Sequence, residues 1–194
     1  MPGNVLFWSD AGKEIHFEGK DSTVAIPKAA KLNVGRQVTI VFWMKADPDN
    51  PLDNYQGLVT SDFYHLEISD GINFVISTAH GRPYTETKFA NGGHGPMISS
   101  GVWHHVAGTY DGTKLQLYID GEPSGKPMRH KGAISSMGPD SFVAIGSEDG
   151  RTSDPGCVGN RYFRGYIDDV GIFNRALSAG EIASIYRASE SKFR

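Results

Sequence analysis

The sequence predicts an all-β protein, an antiparallel β-sandwich with one short helix near its C-terminal end. The clearest sign is that apolar and polar residues alternate over 103–110 and 113–119, and that an Asp-Gly pair closes each run. Alternation with a period of two buries one face of a strand, and Asp-Gly tolerates the positive φ angles of a type I′ turn. A second sign is the spread of 24 glycines and 10 prolines along the chain, which predicts many turns between short strands.

Strand-like runs follow one another along the whole chain, each bounded by Gly, Asp, Asn or Pro. Besides the two runs of that hairpin, we predict strands over residues 5–9, 14–18, 23–27, 37–46, 57–61, 65–69, 72–79, 142–146 and 163–173. Both faces of the run 38–45 are apolar, which is typical of a central strand between two layers. Asp70-Gly71 predicts a further tight hairpin. A total of about a dozen strands favours a β-sandwich.

The one predicted helix lies near the end of the chain. Ser178 and Glu181 have the spacing of a capping box, in which each side chain accepts a hydrogen bond from the backbone amide of the other residue. Ile182, Ile185 and Tyr186 line one face of a helix of two to three turns, so we expect this face to pack on the sandwich. Beyond the helix we expect the chain to fray.

Length and composition limit the possible functions. A chain of 194 residues predicts a single domain over residues 1–194. The formal net charge is −3 without a block of like charges, so we expect no nucleic-acid partner. No apolar run reaches the roughly 18–20 residues that cross a bilayer, and we expect neither membrane insertion nor a signal peptide. A single cysteine, Cys157, excludes an intrachain disulfide.

Several separated segments resemble those of a known family. They are 17–27, 38–46, 103–112 (WHHVAGTYDG), 115–121 (LQLYIDG) and 165–178 (GYIDDVGIFNRALS). Over roughly residues 13–188 the chain resembles the laminin-G-like (LamG/pentraxin-like) domains of the concanavalin A-like lectin/glucanase superfamily. The resemblance implies an antiparallel β-sandwich of the jelly-roll, concanavalin A-like type. It leaves the activity open, because the superfamily includes lectins, adhesion modules, sugar-binding appendages, hydrolases and lyases.

The sequence carries no hydrolase motif of this fold. A retaining glucanase would have a Glu-x-Asp-x-x-Glu string or a close variant on one strand, with two carboxylates on the same face. The nearest approach, Glu67 and Asp70, places two carboxylates three residues apart, and therefore on opposite faces of a strand. We expect no enzyme activity. A lyase that uses residues such as His80, Arg82 and Tyr84 stays open as an alternative.

Two long stretches without a strand pattern, 82–100 and 146–161, are rich in Gly, Pro, Asp, His and Arg. Loops of this kind are where a β scaffold usually carries its function. A sugar needs an aromatic face for the apolar side of its ring and fixed polar groups for its hydroxyls. The candidate ligand-binding residues are Tyr55, Tyr84, His94, Asp149, Arg151, Arg161 and Tyr162. The alternative is that each of them is an ordinary surface residue.

The resemblance also implies a structural calcium ion. Domains of this kind often hold one between the loop after an early strand and the long late strand. Carried over to this sequence, the metal ligands are Glu18 and Asp21 on one side and Asp168 on the other, with the oxygen ligands that calcium prefers. The alternative is that Asp168 accepts hydrogen bonds from loop amides and that Asp21 caps a turn.

These observations predict a non-catalytic, lectin-like module that binds a polysaccharide or another glycan. The resemblance implies that it belongs to an extracellular or cell-surface protein. Two alternatives stay open. One is a protein-binding adhesion module whose partner is another polypeptide, and the other is a polysaccharide-degrading hydrolase or lyase.

Overall fold

The computed structural model describes residues 5–8, 14–27, 32, 34–52, 55–79, 85–89, 95–135, 142–148 and 161–194. Within these residues there are thirteen β-strands, an α-helix and, directly after it, the short 3-10 helix Glu190–Lys192. The strands are β1 (Val5–Trp8), β2 (Ile15–Glu18), β3 (Val24–Pro27), β4 (Val38–Ala46), β5 (Gln56–Thr60), β6 (Tyr64–Ile68), β7 (Ile72–Ala79), β8 (Thr85–Phe89), β9 (His104–Tyr110), β10 (Lys114–Ile119), β11 (Glu122–Arg129), β12 (Phe142–Ile145) and β13 (Arg164–Phe173), and the helix is α1 (Ala179–Ser189).

The strands form two antiparallel sheets. Sheet A has seven strands in the order β1-β13-β4-β9-β10-β11, with β2 also paired to β13. Sheet B has six strands in the order β3-β12-β5-β6-β7-β8. The last strand, β13, pairs with β4 on one side and with both β1 and β2 on the other. The predicted all-β architecture, an antiparallel jelly-roll sandwich with one short C-terminal helix, is confirmed.

The inner faces of the two sheets form the main hydrophobic core. Phe42 of β4 and Leu117 of β10 come from sheet A, while Leu66 of β6 and Phe74 of β7 come from sheet B, and all four are fully buried. Burial of a side chain of this size stabilises the fold by about 1.5–3 kcal/mol. The alternation that the sequence shows therefore sorts the side chains of each strand into an inner and an outer set.

Helix α1 covers part of the outer face of sheet A. Val41 of β4 and Ala107 of β9 form a second buried cluster with Ile182 of the helix. The helix begins with the predicted capping box, in which the Glu181 amide donates to Ser178 Oγ (3.3 Å) and the Ser178 amide donates to Glu181 Oε2 (2.8 Å). Strand β4 therefore lies between two layers, as its apolar faces predict.

Two edge strands, β8 and β11, lie where the sequence pattern predicts none. Most residues of β11 are exposed, and it contains Pro123 and Pro127, so it lacks the alternation that marks a half-buried strand. Proline is tolerated at the edge of a sheet because one side of an edge strand needs no ladder hydrogen bonds. Strand β8 lies inside the stretch 82–100 and pairs with β7.

The three Asp-Gly pairs within the described residues make two kinds of turn. At positions 70–71 and 120–121 both residues have positive φ angles, as a type I′ turn requires. At 111–112 only the glycine has a positive φ, of 91°. The aspartate side chain of this pair instead accepts hydrogen bonds from the backbone amides of Thr113 (2.8 Å) and Lys114 (3.0 Å). The type I′ prediction is wrong for this turn, because the side chain stabilises a different backbone path.

The chain does not fray beyond α1. Phe193 is only 8% exposed, and its ring centroid lies 4.6 Å from that of Trp43 and 4.7 Å from that of Trp103. The expectation of a frayed end is wrong because one aromatic side chain anchors the last turn on sheet A.

The sheets approach each other closely at Gly108 of β9. A Cβ atom at this position would lie 2.4 Å from the ring of Phe74 in sheet B. We expect Gly108→Ala to lower the free energy of unfolding by about 1–3 kcal/mol, the usual cost of overpacking a core, as measured by urea unfolding. Gly180→Ala is the control, because a Cβ there meets no atom within 4 Å and alanine favours the helix. Equal unfolding midpoints for the two variants would contradict the close approach.

Candidate functional sites at the rim and on sheet A

One candidate site lies where the segments before β5, after β12 and before β13 meet. Its members, which we call the rim cluster, are Tyr55, Glu148, Arg161 and Tyr162. The Arg161 carbonyl accepts hydrogen bonds from the amides of Gly57 and Glu148, both at 3.1 Å. A Cβ at Gly57 would lie 2.2 Å from the carbonyl carbon of Ser147, so only glycine lets the segments approach this closely. The backbone therefore holds the cluster together.

Three side chains of the rim cluster, those of Tyr55, Glu148 and Arg161, form a stacked and ion-paired arrangement. Tyr55 is 47% exposed, and the guanidinium carbon of Arg161 lies 4.9 Å from the centroid of its ring. Arg161 Nη1 donates to Glu148 Oε2, and the side chains of this ion pair are only 13% and 12% exposed. A planar guanidinium that is held by a carboxylate is well suited to stack on an aromatic face. The cluster thus presents an aromatic ring with a fixed charged neighbour.

The structure brings together three of the seven predicted ligand-binding residues. Tyr55 and Arg161 meet through their side chains, and Tyr162 is placed beside them by backbone bridges to Gly57 and Ser147. Glu148, which fixes the guanidinium, was missed because an isolated glutamate after a strand carries no recognisable motif. The other four predicted ligand-binding residues, Tyr84, His94, Asp149 and Arg151, lie outside the described residues.

The three predicted calcium ligands do not converge. Glu18, at the end of β2, pairs in register with Arg164 of β13, whereas Asp168 lies four positions farther along β13, about 13 Å away at the usual rise of a strand. Asp21 is exposed and has a positive φ of 54°. Asp168 Oδ1 accepts a hydrogen bond from the Asp169 amide (2.7 Å).

Calcium needs about six to eight oxygens at 2.3–2.6 Å, and Glu18 and Asp168 lie too far apart on sheet A to hold one ion between them. Among the residues that the structure describes, no three His, Cys, Asp or Glu side chains are grouped so that they could hold a metal. Calcium binding by this domain stays a prediction. The positions of these three side chains do not support it.

The nearest approach to a hydrolase pair does not form a dyad. Glu67 is 3% exposed, and its Oε2 lies 3.2 Å from Nε2 of His65, two residues earlier on β6. Asp70 is exposed and lies in the following turn with a φ of 49°. The two carboxylates have different surroundings, one in a buried pair with histidine and the other in solvent.

A second candidate site, which we call the aromatic cleft, lies on the outer face of sheet A beside α1. It has a volume of about 410 Å³, and its lining includes Trp43, Lys45, Trp103, Asp120, Tyr186 and Phe193. Trp43 and Lys45 alternate along β4 with inward-pointing core residues, and Tyr186 projects from the helix. Ligand sites in proteins usually have volumes of about 300–1,000 Å³, so the cleft can accept a small molecule.

Aromatic rings surround a lysine at the cleft. Trp103 packs against Phe193 on one side, and the ammonium group of Lys45 lies 5.0 Å from the centroid of the Trp103 ring and 4.5 Å from that of Tyr166. No carboxylate among the described residues forms an ion pair with Lys45. The cleft therefore carries a positive charge that the π-faces of two rings stabilise.

Asp120 provides a carboxylate at another part of the cleft wall. Asp120 Oδ2 lies 2.9 Å from Nδ1 of His104, and Asp120 Oδ1 accepts a hydrogen bond from the backbone amide of His105, also at 2.9 Å. Burial raises the pKa of Asp120, but the hydrogen bonds from His104 and His105 outweigh this effect and hold the pKa below its usual value. Asp120 is therefore ionised at neutral pH and fixed in position.

The residues of the aromatic cleft are not among the sequence candidates. The sequence contains one indication of the cleft. Trp43 and Lys45 are two residues apart, so they share a face of β4. The other half of the cleft comes from α1 and the residues after it, and no local pattern indicates where these pack.

In the part of the chain that the structure describes, no helix is both long and apolar enough to cross a membrane.

Comparison with solved structures finds the same fold in domains of several other proteins. The binding domain of Paraclostridial Mosquitocidal Protein 1 matches with a TM-score of 0.65 and 18% identity over 95% of this chain and 46% of that chain. Domain 4 of AbnA, a GH43 extracellular arabinanase from Geobacillus stearothermophilus solved with arabinotriose, matches with a TM-score of 0.61 and 16% identity over 95% of this chain and 82% of that chain. The heptameric SAP-like pentraxin from Limulus polyphemus matches with a TM-score of 0.58 and 20% identity over 89% of this chain and 81% of that chain.

These likenesses show the fold, and the chain spans a little under half the length of the mosquitocidal binding domain. A search of curated proteins found no match. A family model described as the concanavalin A-like lectin/glucanases superfamily matches residues 18–183, which is most of the chain. Together with the two-sheet jelly roll, this match shows that the chain belongs to the concanavalin A-like lectin/glucanase superfamily.

Proposed function

We propose that this domain is a non-catalytic carbohydrate-binding module that binds a polysaccharide or another glycan at the rim cluster. The observation that carries the proposal is the exposed ring of Tyr55, held beside the guanidinium of Arg161. An aromatic ring offers a flat apolar surface to the C–H face of a sugar, and a fixed charged group can bond its hydroxyls. Both requirements meet at one place on the domain.

The ion pair prepares the rim cluster for binding. Arg161 and Glu148 are mostly buried and hold each other, so the guanidinium loses little conformational freedom when a ligand arrives. Preorganisation of this kind raises affinity because less entropy is lost on binding. The arrangement supports a binding role and supplies no pair of free carboxylates for hydrolysis.

The relatives support the same function. Domain 4 of the arabinanase was solved in complex with arabinotriose, and that enzyme is extracellular. We therefore infer that the module works outside the cell and that it directs a larger protein to a glycan.

The test is binding to a glycan array, followed by calorimetry on the best ligand. We expect Tyr55→Ala to lower the affinity about 5- to 30-fold, since the loss of one stacking surface removes about 1–2 kcal/mol. Met97→Ala is the matched control, because Met97 is another exposed apolar side chain, 67% exposed, and we expect it to bind normally. Undiminished binding by Tyr55→Ala would rule out the rim cluster, and an array without any bound glycan would contradict the function itself.

A protein-binding adhesion module is the second candidate. Tyrosine and arginine are the residues that most often dominate the energy of protein interfaces, and the rim cluster places one of each together. A pull-down that recovers one polypeptide with the wild-type domain, but not with Tyr55→Ala, would favour this candidate if the array shows no glycan.

A further inference from the structure

We propose that the aromatic cleft on sheet A is a second ligand site, separate from the rim cluster, and that it binds a sugar residue carrying an anionic group. The shared chemistry of such ligands is a pyranose or furanose ring with a carboxylate or a sulfate. The inference stands on the cleft alone and does not depend on the function proposed for the rim cluster.

The charge in the cleft selects for an anion. Two cationic side chains line it, Lys45 and Arg194. Arg194 is already compensated, because its Nη1 lies 3.1 Å from Glu190 Oε1 and its Nη2 donates to the Tyr186 hydroxyl at 2.7 Å. Within the part of the chain that the structure describes, the polar and ring contacts of Lys45 are those with the two aromatic rings. A lysine without a carboxylate partner beside a cleft can bind a carboxylate or sulfate as a point charge.

The apolar surface of the cleft suits a sugar ring. Trp103 is partly exposed, and the neighbouring Val102 is 51% exposed. Trp43 and Phe193 are nearly buried and stack on each other at 4.6 Å, so they form a rigid floor. A ring with a C–H face can lie on such a surface without burying unpaired polar groups.

Asp120 gives the ligand an orientation. Its carboxylate is held by His104 and by the backbone amide of His105, and its side chain is 39% exposed. An ionised carboxylate accepts hydrogen bonds from hydroxyls and repels anions. The anionic group of the ligand therefore points toward Lys45, while hydroxyls point toward Asp120. This polarity makes a neutral sugar residue a weaker ligand, and it disfavours a sugar residue with anionic groups on both sides of its ring.

The experiment measures binding of three oligosaccharides of equal length, made of galacturonic acid, sulfated galactose and neutral galactose. Tryptophan fluorescence reports on this cleft, since Trp43 and Trp103 line it and the rim cluster contains no tryptophan. We expect a fluorescence change with the carboxylated or the sulfated probe, and at least tenfold weaker binding of the neutral one. Whichever anionic probe binds more tightly identifies the group.

Variants of Lys45 test whether anion binding depends on its positive charge. We expect Lys45→Gln to weaken anion binding at least tenfold and Lys45→Arg to retain most of it. Lys126→Gln on β11, where the lysine is exposed, makes the same charge change elsewhere on sheet A and should bind like wild type. Tyr55→Ala should also leave this fluorescence change intact, which distinguishes the cleft from the rim cluster.

Three results would overturn the proposal. They are no fluorescence change with either anionic probe, equal binding of the neutral and anionic probes, and equal losses in Lys45→Gln and Lys126→Gln. Melting curves of each variant show that it is folded, so a loss of binding by Lys45→Gln cannot be attributed to unfolding.

Discussion

Trp43→Ala is expected to lower the free energy of unfolding by about 3–5 kcal/mol, the usual cost of truncating a buried tryptophan. The side chain is 2% exposed, and its ring stacks on Phe193 at 4.6 Å and on Tyr186 at 5.6 Å. Its Nε1 donates to Ser189 Oγ at 2.9 Å. Alanine leaves a cavity between sheet A and the C-terminal residues, so urea unfolding followed by circular dichroism should show a large shift of the midpoint.

Two further variants show which contacts of Trp43 account for the loss of stability. Trp43→Phe keeps an aromatic ring and loses the hydrogen bond to Ser189, so we expect a smaller loss, of which the hydrogen bond accounts for about 1 kcal/mol. Val102→Ala changes an exposed side chain beside the same cleft and should stay within about 0.5 kcal/mol of wild type. If Trp43→Ala proves as stable as Val102→Ala, then α1 is held to sheet A by other contacts.

Stability is also expected to fall by about 3 kcal/mol between pH 6.5 and pH 4 because of one buried histidine. Burial lowers the pKa of His105 from 6.5 to about 4, and the negative charge of Asp120 opposes this effect only in part. His105 is 1% exposed, and neither of its ring nitrogens has a hydrogen-bond partner within the described part of the chain. Its protonation in the folded protein is therefore costly.

The direction of the effect follows from which state binds the proton. Above pH 6.5 the imidazole is neutral in both states and contributes no pH dependence. Between pH 6.5 and about 4 the unfolded chain binds a proton that the folded protein does not, so acid favours unfolding. At 1.36 kcal/mol for each pKa unit, the loss reaches about 3 kcal/mol. Below about pH 4 the folded protein also binds the proton, and this contribution becomes constant.

Urea unfolding at pH 7.5, 5.5 and 4.5 measures this loss. His105→Phe removes the titrating group and keeps an aromatic ring against Trp43, so the loss in this pH range should largely disappear. At pH 7.5 the variant should be about as stable as wild type, because no hydrogen bond of the ring is lost. His16→Gln, at a histidine whose side chain is 42% exposed, is the control and should keep the acid sensitivity of wild type. An unchanged loss in His105→Phe would assign the effect to other groups.

The strands, turns and helix were predictable where neighbouring residues decide the structure. Apolar alternation indicated β9 and β10, and the capping box of Ser178 and Glu181 indicated the start of α1. Strand β11 escaped prediction because most of its residues are exposed and carry no apolar pattern. Strand β8 escaped because its sequence, TETKF, contains a single apolar residue. The turn at 111–112 escaped because a side chain, rather than the backbone alone, decides its shape.

Most of the rim cluster was also within reach of the sequence, whereas the residues of the aromatic cleft were not among the candidates. Tyr55, Arg161 and Tyr162 were candidates because aromatic and charged residues beside long loops are typical of ligand sites. That Arg161 lies over the ring of Tyr55, and that Glu148 holds it there, depends on how β5, β12 and β13 come together. The predicted calcium ligands also depend on how distant strands come together. The register of β2 on β13 places Asp168 far from Glu18.

The order of residues alone determined most strands, the tight turns between them and the capped C-terminal helix, since those features arise from interactions within a few positions. Only the tertiary structure decided that Trp43 meets Ser189, 146 positions away, and that Lys45 lies between two rings beside an open cleft. Packing between distant segments depends on strand order and register, and no local pattern encodes these.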